Sequence, residues 1–161
     1  MELRAFTRQA RQVIRQAKQC ARHNKQRVAG TEYILIGMLR EKYGVAGQVL
    51  RQMGVDPGAV WKMICGLALP TGEEPPERIE LTPEAESVLE QSQVIARQYN
   101  NRETGTEHIL LAVIFRHDCA ASQMLISLGV NTGQVYADIL VAMGKEEEFS
   151  REKVKQIRSG K

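Results

Sequence analysis

The chain has 161 residues, of which 43% are apolar and only 5% aromatic, so composition favours a helical protein with a real core. Its net charge of +3 is small against 22 basic and 19 acidic side chains, which gives little reason to expect nucleic acid. No apolar run approaches the roughly 20 residues of a membrane span and no signal peptide opens the chain, so the expected compartment is the cytoplasm.

The first predicted helix follows Thr7, a residue type typical of a helix N-cap. Apolar residues recur behind it at helical spacing, at Ala10, Val13, Ile14, Ala17 and Ala21. Basic residues are frequent in this helix and next to its ends, at Arg4, Arg8, Arg11, Arg15, Lys18, Arg22, Lys25 and Arg27. We expect the helix to end near Asn24. Because no aromatic residues interleave the arginines, a solvated face is the preferred interpretation over a nucleic-acid surface.

Three shorter helices are predicted next. Thr31 is expected to cap the second, Gly54 to end the third, and Asp56 with Pro57 to open the fourth. The apolar positions that support them are Ile34, Leu35, Met38 and Leu39, then Val45, Val49, Leu50 and Met53, then Val60, Trp61 and Ile64.

The whole pattern then returns without a gap. The segment AGTEYILIGML at 29–39 recurs as TGTEHILLAVI at 104–114, and about a third of the paired positions are identical. Thr82 with Pro83, Thr106 and Gly129 repeat the boundary signals of the first copy. This duplication predicts an all-α fold of two tandem four-helix repeats related by a pseudo-twofold axis. We place one domain at 1–144, with repeat one at about 5–68, a linker at about 69–80 and repeat two at about 81–144.

Two segments lie outside the repeats. The stretch LALPTGEEPPERIE contains three prolines and a glycine, which exclude a continuous helix and indicate a surface linker. Residues 145–161 are almost entirely charged or polar, and we interpret them as a charged C-terminal linker or tail.

Motifs for enzymatic chemistry are missing from the sequence. There is no GxxxxGK[ST] phosphate loop, so this chain is not expected to hydrolyse ATP. The histidines are His23, His108 and His117, and the cysteines are Cys20, Cys65 and Cys119. The histidines are too scattered for a metal cluster and the cysteines share no CxxC spacing. We therefore expect no catalytic residue, no metal site and no cofactor.

The repeated glutamates allow two interpretations. Glu32 and Glu107 fall in the first turn of a predicted helix, where the helix dipole favours an acid. As an enzymatic acid/base pair they would have to face one cleft. In a duplicated binding module, each would instead open toward its own surface site.

The phrases FTRQARQVIRQAKQCA, GTEYILIGML, GVAGQVLRQMGV, LTPEAESVLEQSQVIA and GTEHILLAVI resemble the tandem repeats of the Clp N-terminal domain of Hsp100 unfoldases, most closely the ClpC type. The resemblance covers residues 1–144. Tyr33 stands where the family usually has His, and Ile36 replaces a common Leu. The resemblance implies that the partners are marked or unfolded proteins, adaptors of the MecA type, and an AAA+ ATPase module and Clp protease outside this chain.

The resemblance to ClpC also implies recognition of phosphorylated arginine, with one site per repeat. The family residues map onto Thr7 with Glu32 in copy one and onto Thr82 with Glu107 in copy two. A helix N-terminus with a Thr hydroxyl suits the phosphate, and a carboxylate suits the guanidinium end. Adaptor or hydrophobic-peptide binding without phosphoarginine remains an alternative, and a basic nucleic-acid-binding helical domain is a more distant one.

The two sites are expected to differ in strength. Arg4 and Arg8 precede and follow Thr7 and would support the phosphate, whereas two glutamates follow the second threonine. The sequence therefore predicts that the copy-one site binds phosphate better, so that Glu32→Ala weakens binding more than Glu107→Ala.

Overall fold

A computed structural model describes residues 2–69 and 72–144. In these residues the chain forms eight α-helices, two very short strands and a 3-10 turn before the first helix. The helices are α1 (Arg8–His23), α2 (Thr31–Arg40), α3 (Val45–Gln52), α4 (Pro57–Leu67), α5 (Pro83–Gln98), α6 (Thr106–Phe115), α7 (Ala120–Ser127) and α8 (Thr132–Met143). The strands are β1 (Val28–Ala29) and β2 (Glu80–Leu81). The prediction of an all-α fold with four helices in each tandem repeat is confirmed.

The ends of the long helices agree with the sequence signals. Thr7 Oγ1 accepts a hydrogen bond from the Ala10 N–H at 3.1 Å, and Thr82 caps α5 in the same way through Ala85. Beyond α3 and α7 the chain turns at Gly54 and its repeat equivalent Gly129, where φ is +85° and +79°. Only glycine adopts this left-handed conformation without strain, so both helices end where the sequence predicted.

The predicted capping role of Thr31 and Thr106 is wrong. Gly30 and Gly105 occupy the N-cap positions of α2 and α6, and each threonine is the first residue inside its helix. The local pattern favoured threonine as a cap because its hydroxyl normally accepts a bond from its own helix. Here both hydroxyls are buried and are used by a different helix.

Each of these threonines caps the third helix of the opposite repeat. Thr31 Oγ1 accepts from the Ala121 N–H of α7 at 3.0 Å, and Thr106 Oγ1 accepts from the Ala46 N–H of α3 at 3.1 Å. The two bonds are equivalent under the repeat. They satisfy first-turn donors that would otherwise be buried without an acceptor, and they join the two repeats reciprocally.

Backbone pairing crosses between the repeats as well. β1 and β2 are parallel, with Ala29 beside Leu81, and the repeat-equivalent bridge joins Phe6 to Thr104. These short pairings were not predicted, because two residues carry too little pattern to identify a strand. They bring the start of α1 beside the start of α6, and the start of α5 beside the start of α2.

A continuous apolar core lies between the helices of both repeats. Phe6, Leu35, Leu50, Leu110, Leu125 and Tyr136 are among its fully buried side chains. The predicted linker follows the surface of repeat one, where Arg22 Nη2 donates to the Pro76 carbonyl at 2.7 Å and Arg27 pairs with Glu73 at 3.1 Å. The predicted tail at 145–161 lies outside the described residues. No single helix in the described ranges combines the length and apolar content of a membrane span.

The crossing of α1 and α2 depends on Gly37. A Cβ built on this residue would lie 2.6 Å from the Val13 carbonyl oxygen, a backbone atom that cannot turn away. The equivalent residue in α6 is Ala112, where the corresponding crossing accepts a methyl group. The close approach of α1 and α2 at Gly37 therefore distinguishes repeat one from repeat two.

We expect Gly37→Ala to lower the free energy of unfolding by about 2 kcal/mol, because the new methyl forces α1 and α2 apart. Urea denaturation monitored by circular dichroism would measure the change. The matched variant Ala112→Gly should lose about 1–2 kcal/mol, from lower helix propensity and from the loss of a buried methyl group. A Gly37→Ala protein at least as stable as the wild type would contradict the close approach.

Candidate functional site

The Gly-Thr-Glu phrase builds the same structure at the start of α2 and α6. In each copy the Glu side chain folds back over the Gly that precedes the helix. A Cβ on Gly30 would lie 2.7 Å from Glu32 Oε2, and a Cβ on Gly105 would overlap Glu107 Oε1. The φ of glycine at both positions is ordinary, so a larger residue would be disfavoured only because it would displace the flexible end of the glutamate. The three residues have different roles in both copies. The glycine leaves room for the glutamate side chain, the threonine accepts a hydrogen bond from the other repeat, and the glutamate supplies a carboxylate.

Both carboxylates are partly withdrawn from water. Burial raises the pKa of Glu32 and of Glu107, because loss of hydration disfavours the charged form, and a bond from each residue's own backbone N–H partly opposes this. Glu84 adds a smaller increase to the pKa of Glu32. A cationic group placed at either carboxylate would be favoured, because it would replace the lost hydration.

Backbone hydrogen bonds connect Thr7, the predicted partner of Glu32, to the other repeat. The Thr7 N–H donates to the Thr104 carbonyl at 2.9 Å, and the Thr104 N–H donates to the Ala5 carbonyl at 2.7 Å. These bonds bring the start of α1 beside the start of α6, which carries Glu107.

Thr82, the predicted partner of Glu107, is connected to the other repeat in the same way. The Thr82 N–H donates to the Ala29 carbonyl at 3.0 Å, directly before the Gly that precedes α2. Glu84, two residues beyond Thr82, is close enough to Glu32 to shift its pKa. The structure therefore favours the crossed pairings Thr7 with Glu107 and Thr82 with Glu32 as candidate sites, and each pairing would combine residues of both repeats.

The two crossed sites differ in charge and in backbone donors. Arg4 and Arg8 accompany the Thr7 site, and α1 begins with residues whose N–H groups have no acceptor inside the helix. α5 begins with Pro83, which has no N–H, followed by Glu84. The site of Thr7 and Glu107 is the better one for an anion.

The two glutamates do not form a facing acid/base pair. Glu32 lies in a pocket of about 260 Å³ whose other walls include Ile64 and Leu67 of α4, and Glu107 does not line this pocket. The pKa of neither carboxyl responds to the charge of the other. The arrangement required by a two-carboxylate mechanism is therefore not formed by Glu32 and Glu107. In the described part of the chain, no three His, Cys, Asp or Glu residues are grouped as a metal site would require.

His108 orders the start of α6. Its Nδ1 accepts from the Gly105 N–H at 2.9 Å, so its Nε2 carries the proton and donates to Asn101 Oδ1 at 2.9 Å. Burial lowers the pKa of His108 to about 4. The ring is thus neutral at physiological pH, and its 3.9 Å approach to Glu107 is not an ion pair. Sequence reasoning considered His108 only as a metal ligand and missed this role.

Comparison with known proteins identifies one family. The profile of the Clp repeat (R) N-terminal domain matches residues 5–128 and again 80–159. The chaperone protein ClpB of Oceanobacillus iheyensis is 32% identical over 88% of this chain, and the ClpC/MecB protein of Bacillus subtilis, named as a negative regulator of genetic competence, is 33% identical over 90%. The chain spans only 17% and 18% of the lengths of these two relatives.

Solved structures show the same fold. The N-terminal domain of ClpD from Arabidopsis thaliana superposes with a TM-score of 0.74 at 18% identity, covering 88% of this chain and 99% of that one. A ClpV N-domain solved in complex with a VipB peptide superposes with a TM-score of 0.68 at 18% identity, covering 88% and 92%. These likenesses concern the fold alone.

Proposed function

The chain belongs to the family of Clp repeat N-terminal domains, and from this premise we propose that it is the substrate- and adaptor-recognition domain of an Hsp100 unfoldase. The unfolding ATPase and the Clp protease of this proposal lie outside the chain, and they would act with it in the cytoplasm. Marked or unfolded proteins are the proposed substrates, and adaptors of the MecA type are further proposed partners.

The proposed ligand is phosphoarginine, bound at two sites that each combine residues of both repeats. The observation that carries this proposal is the backbone pairing between the repeats, which places each Thr-capped helix start beside the start of the helix that carries the other repeat's partly buried carboxylate. Thr7 Oγ1 already accepts a bond from its own helix, so its O–H proton is available to a phosphate oxygen. Glu107 would pair with the guanidinium end, and Thr82 with Glu32 would repeat this at the second site.

Calorimetric titration of the domain with free phosphoarginine tests the proposal, with arginine and inorganic phosphate as control ligands. Saturable binding to the wild type should be lost in Glu32→Gln/Glu107→Gln, which keeps the size of both side chains. The matched control Glu90→Ala removes an exposed carboxylate elsewhere on α5 and should bind normally. Absence of binding by a folded wild-type protein would refute phosphoarginine as the ligand.

The crossed pairing reverses the expected order of the single variants. Because Arg4 and Arg8 lie close to Thr7 in the chain, Glu107→Ala should weaken phosphoarginine binding more than Glu32→Ala does. We expect about a tenfold loss for the stronger site, the usual scale of one charge-assisted contact. Separate titrations of the two variants would measure the order, and a larger effect of Glu32→Ala would contradict the crossed assignment.

Peptide binding without phosphoarginine is the second candidate. The pocket of Glu32 has apolar walls from α4, and Leu67 at its edge is 70% exposed. A ClpV N-domain of the same fold has been solved with a peptide. Under this alternative, an unmodified apolar peptide would bind as well as a phosphorylated one, and Leu67→Ser would weaken both equally.

A further inference from the structure

The two repeats carry opposite charges on equivalent helices. In α1 there are five basic residues and no acidic one, at Arg8, Arg11, Arg15, Lys18 and Arg22. In α5 there are three acidic residues and one basic, at Glu84, Glu86, Glu90 and Arg97. Under the repeat, Arg11 corresponds to Glu86 and Arg15 to Glu90. We define Arg8, Arg11 and Arg15 as the basic face, and Glu84, Glu86 and Glu90 as the acidic face.

The basic face borders a pocket of about 580 Å³, which α1 shares with Glu41 and Tyr43. Glu41 forms no ion pair with these arginines; it is buried, and its Oε2 accepts backbone bonds from Tyr43, at 3.0 Å, and from Gly44. Tyr43 is 78% exposed beside the arginines. An exposed aromatic ring next to several arginines is typical of a protein contact surface.

The charges of both faces are unpaired within the described ranges 2–69 and 72–144. All six side chains are exposed, and none forms an ion pair with a described residue. Arg15 donates only to Gln12, at 2.8 Å on its own helix. The faces therefore contribute no described ion pair to the fold and are free to meet charges from outside.

From this inversion we infer that the basic face of one copy of the chain binds the acidic face of a second copy. Arg11 and Arg15 are one helical turn apart, and so are Glu86 and Glu90. Two ion pairs can therefore form together when α1 of one copy lies antiparallel to α5 of another. Opposite potentials of this kind select partners and guide their approach.

The contact is head to tail. Each copy offers one basic and one acidic face, so a pair still has an unused face at each end, and further copies can add. A nucleic acid would bind the basic face alone, and the acidic face on α5 would then have no role. The inference does not rest on the proposed phosphoarginine sites.

Two charge-swapped proteins test the contact. Arg11→Glu/Arg15→Glu has two acidic faces, and Glu86→Arg/Glu90→Arg has two basic faces, so each alone should sediment as a monomer. An equimolar mixture should form a complex in sedimentation velocity at about 50 mM salt. Because the paired charges are exposed, its dissociation constant should rise by about tenfold or more at about 200 mM salt.

The matched control removes the two charges of each face that would pair, without changing the net charge. In Arg11→Gln/Arg15→Gln/Glu86→Gln/Glu90→Gln two positive and two negative charges are lost, so the net charge stays at +3. Wild-type protein should self-associate with rising concentration at low salt, and this variant should not. All substitutions are at exposed positions, so every variant should fold, and thermal melts would check this.

A mixture that sediments as two unassociated monomers at low salt would overturn the inference. Salt-sensitive retention of the wild type on DNA, with no complex between the charge-swapped proteins, would overturn it too and assign the basic face to nucleic acid. The residues of the proposed phosphoarginine sites are unchanged in these variants, so phosphoarginine titration reports separately on the proposed function.

Discussion

Between pH 6.5 and pH 4 the protein is expected to lose about 3 kcal/mol of its free energy of unfolding through His108 alone. In the unfolded chain this histidine takes up a proton near its ordinary pKa of 6.5, whereas in the fold its pKa is about 4. The unfolded state therefore binds more protons as the pH falls, so stability falls with it. Above pH 6.5 both states are neutral and the contribution vanishes.

Urea denaturation of the wild type and of His108→Gln at several pH values measures this contribution. The glutamine can accept from the Gly105 N–H and donate to Asn101, but it does not titrate. The raised pKa values of Glu32 and Glu107 act in the opposite direction, because the fold binds their protons earlier as the pH falls. Both proteins share that effect, so the difference between their curves isolates His108. Parallel curves would show that the folded histidine titrates normally.

The variant Thr31→Val/Thr106→Val is expected to lose about 3 kcal/mol, because each change leaves a buried N–H of the opposite repeat without its acceptor. Valine keeps the shape of threonine, so packing changes little. Thermal and urea denaturation would measure the loss.

The matched variant Thr31→Ser/Thr106→Ser keeps both hydroxyl groups and loses only two methyl groups. It should be clearly more stable than the valine variant. Equal stability of the two variants would mean that the cross-repeat hydrogen bonds contribute nothing to folding.

Local signals predicted most of the fold. The caps at Thr7 and Thr82, the left-handed turns at Gly54 and Gly129, and the apolar stripe of α1 all act within a few residues of themselves. Such signals are fully contained in the sequence, which is why the helix boundaries follow from it. The duplication also predicted the pseudo-twofold axis, because two similar repeats bury equivalent faces.

The crossed contacts could not be predicted from the same signals. A hydroxyl such as that of Thr31 has an equally plausible acceptor role in its own helix, and only the packed structure shows that it reaches Ala121. The same ambiguity made Thr7 a partner of Glu32 rather than of Glu107. Repeats fix which residues are equivalent, but not whether they meet inside one copy or across two.

The crossed sites also bear on how such a chain arises. A lone repeat would contain a capped helix start and a carboxylate that belong to different proposed sites, so it would complete neither. Two identical repeats related by an exact twofold axis would complete both, as a homodimer. Fusion of the two genes keeps both sites in one polypeptide and frees each half to mutate separately. Under that freedom one helix can become rich in arginine while its twin becomes rich in glutamate.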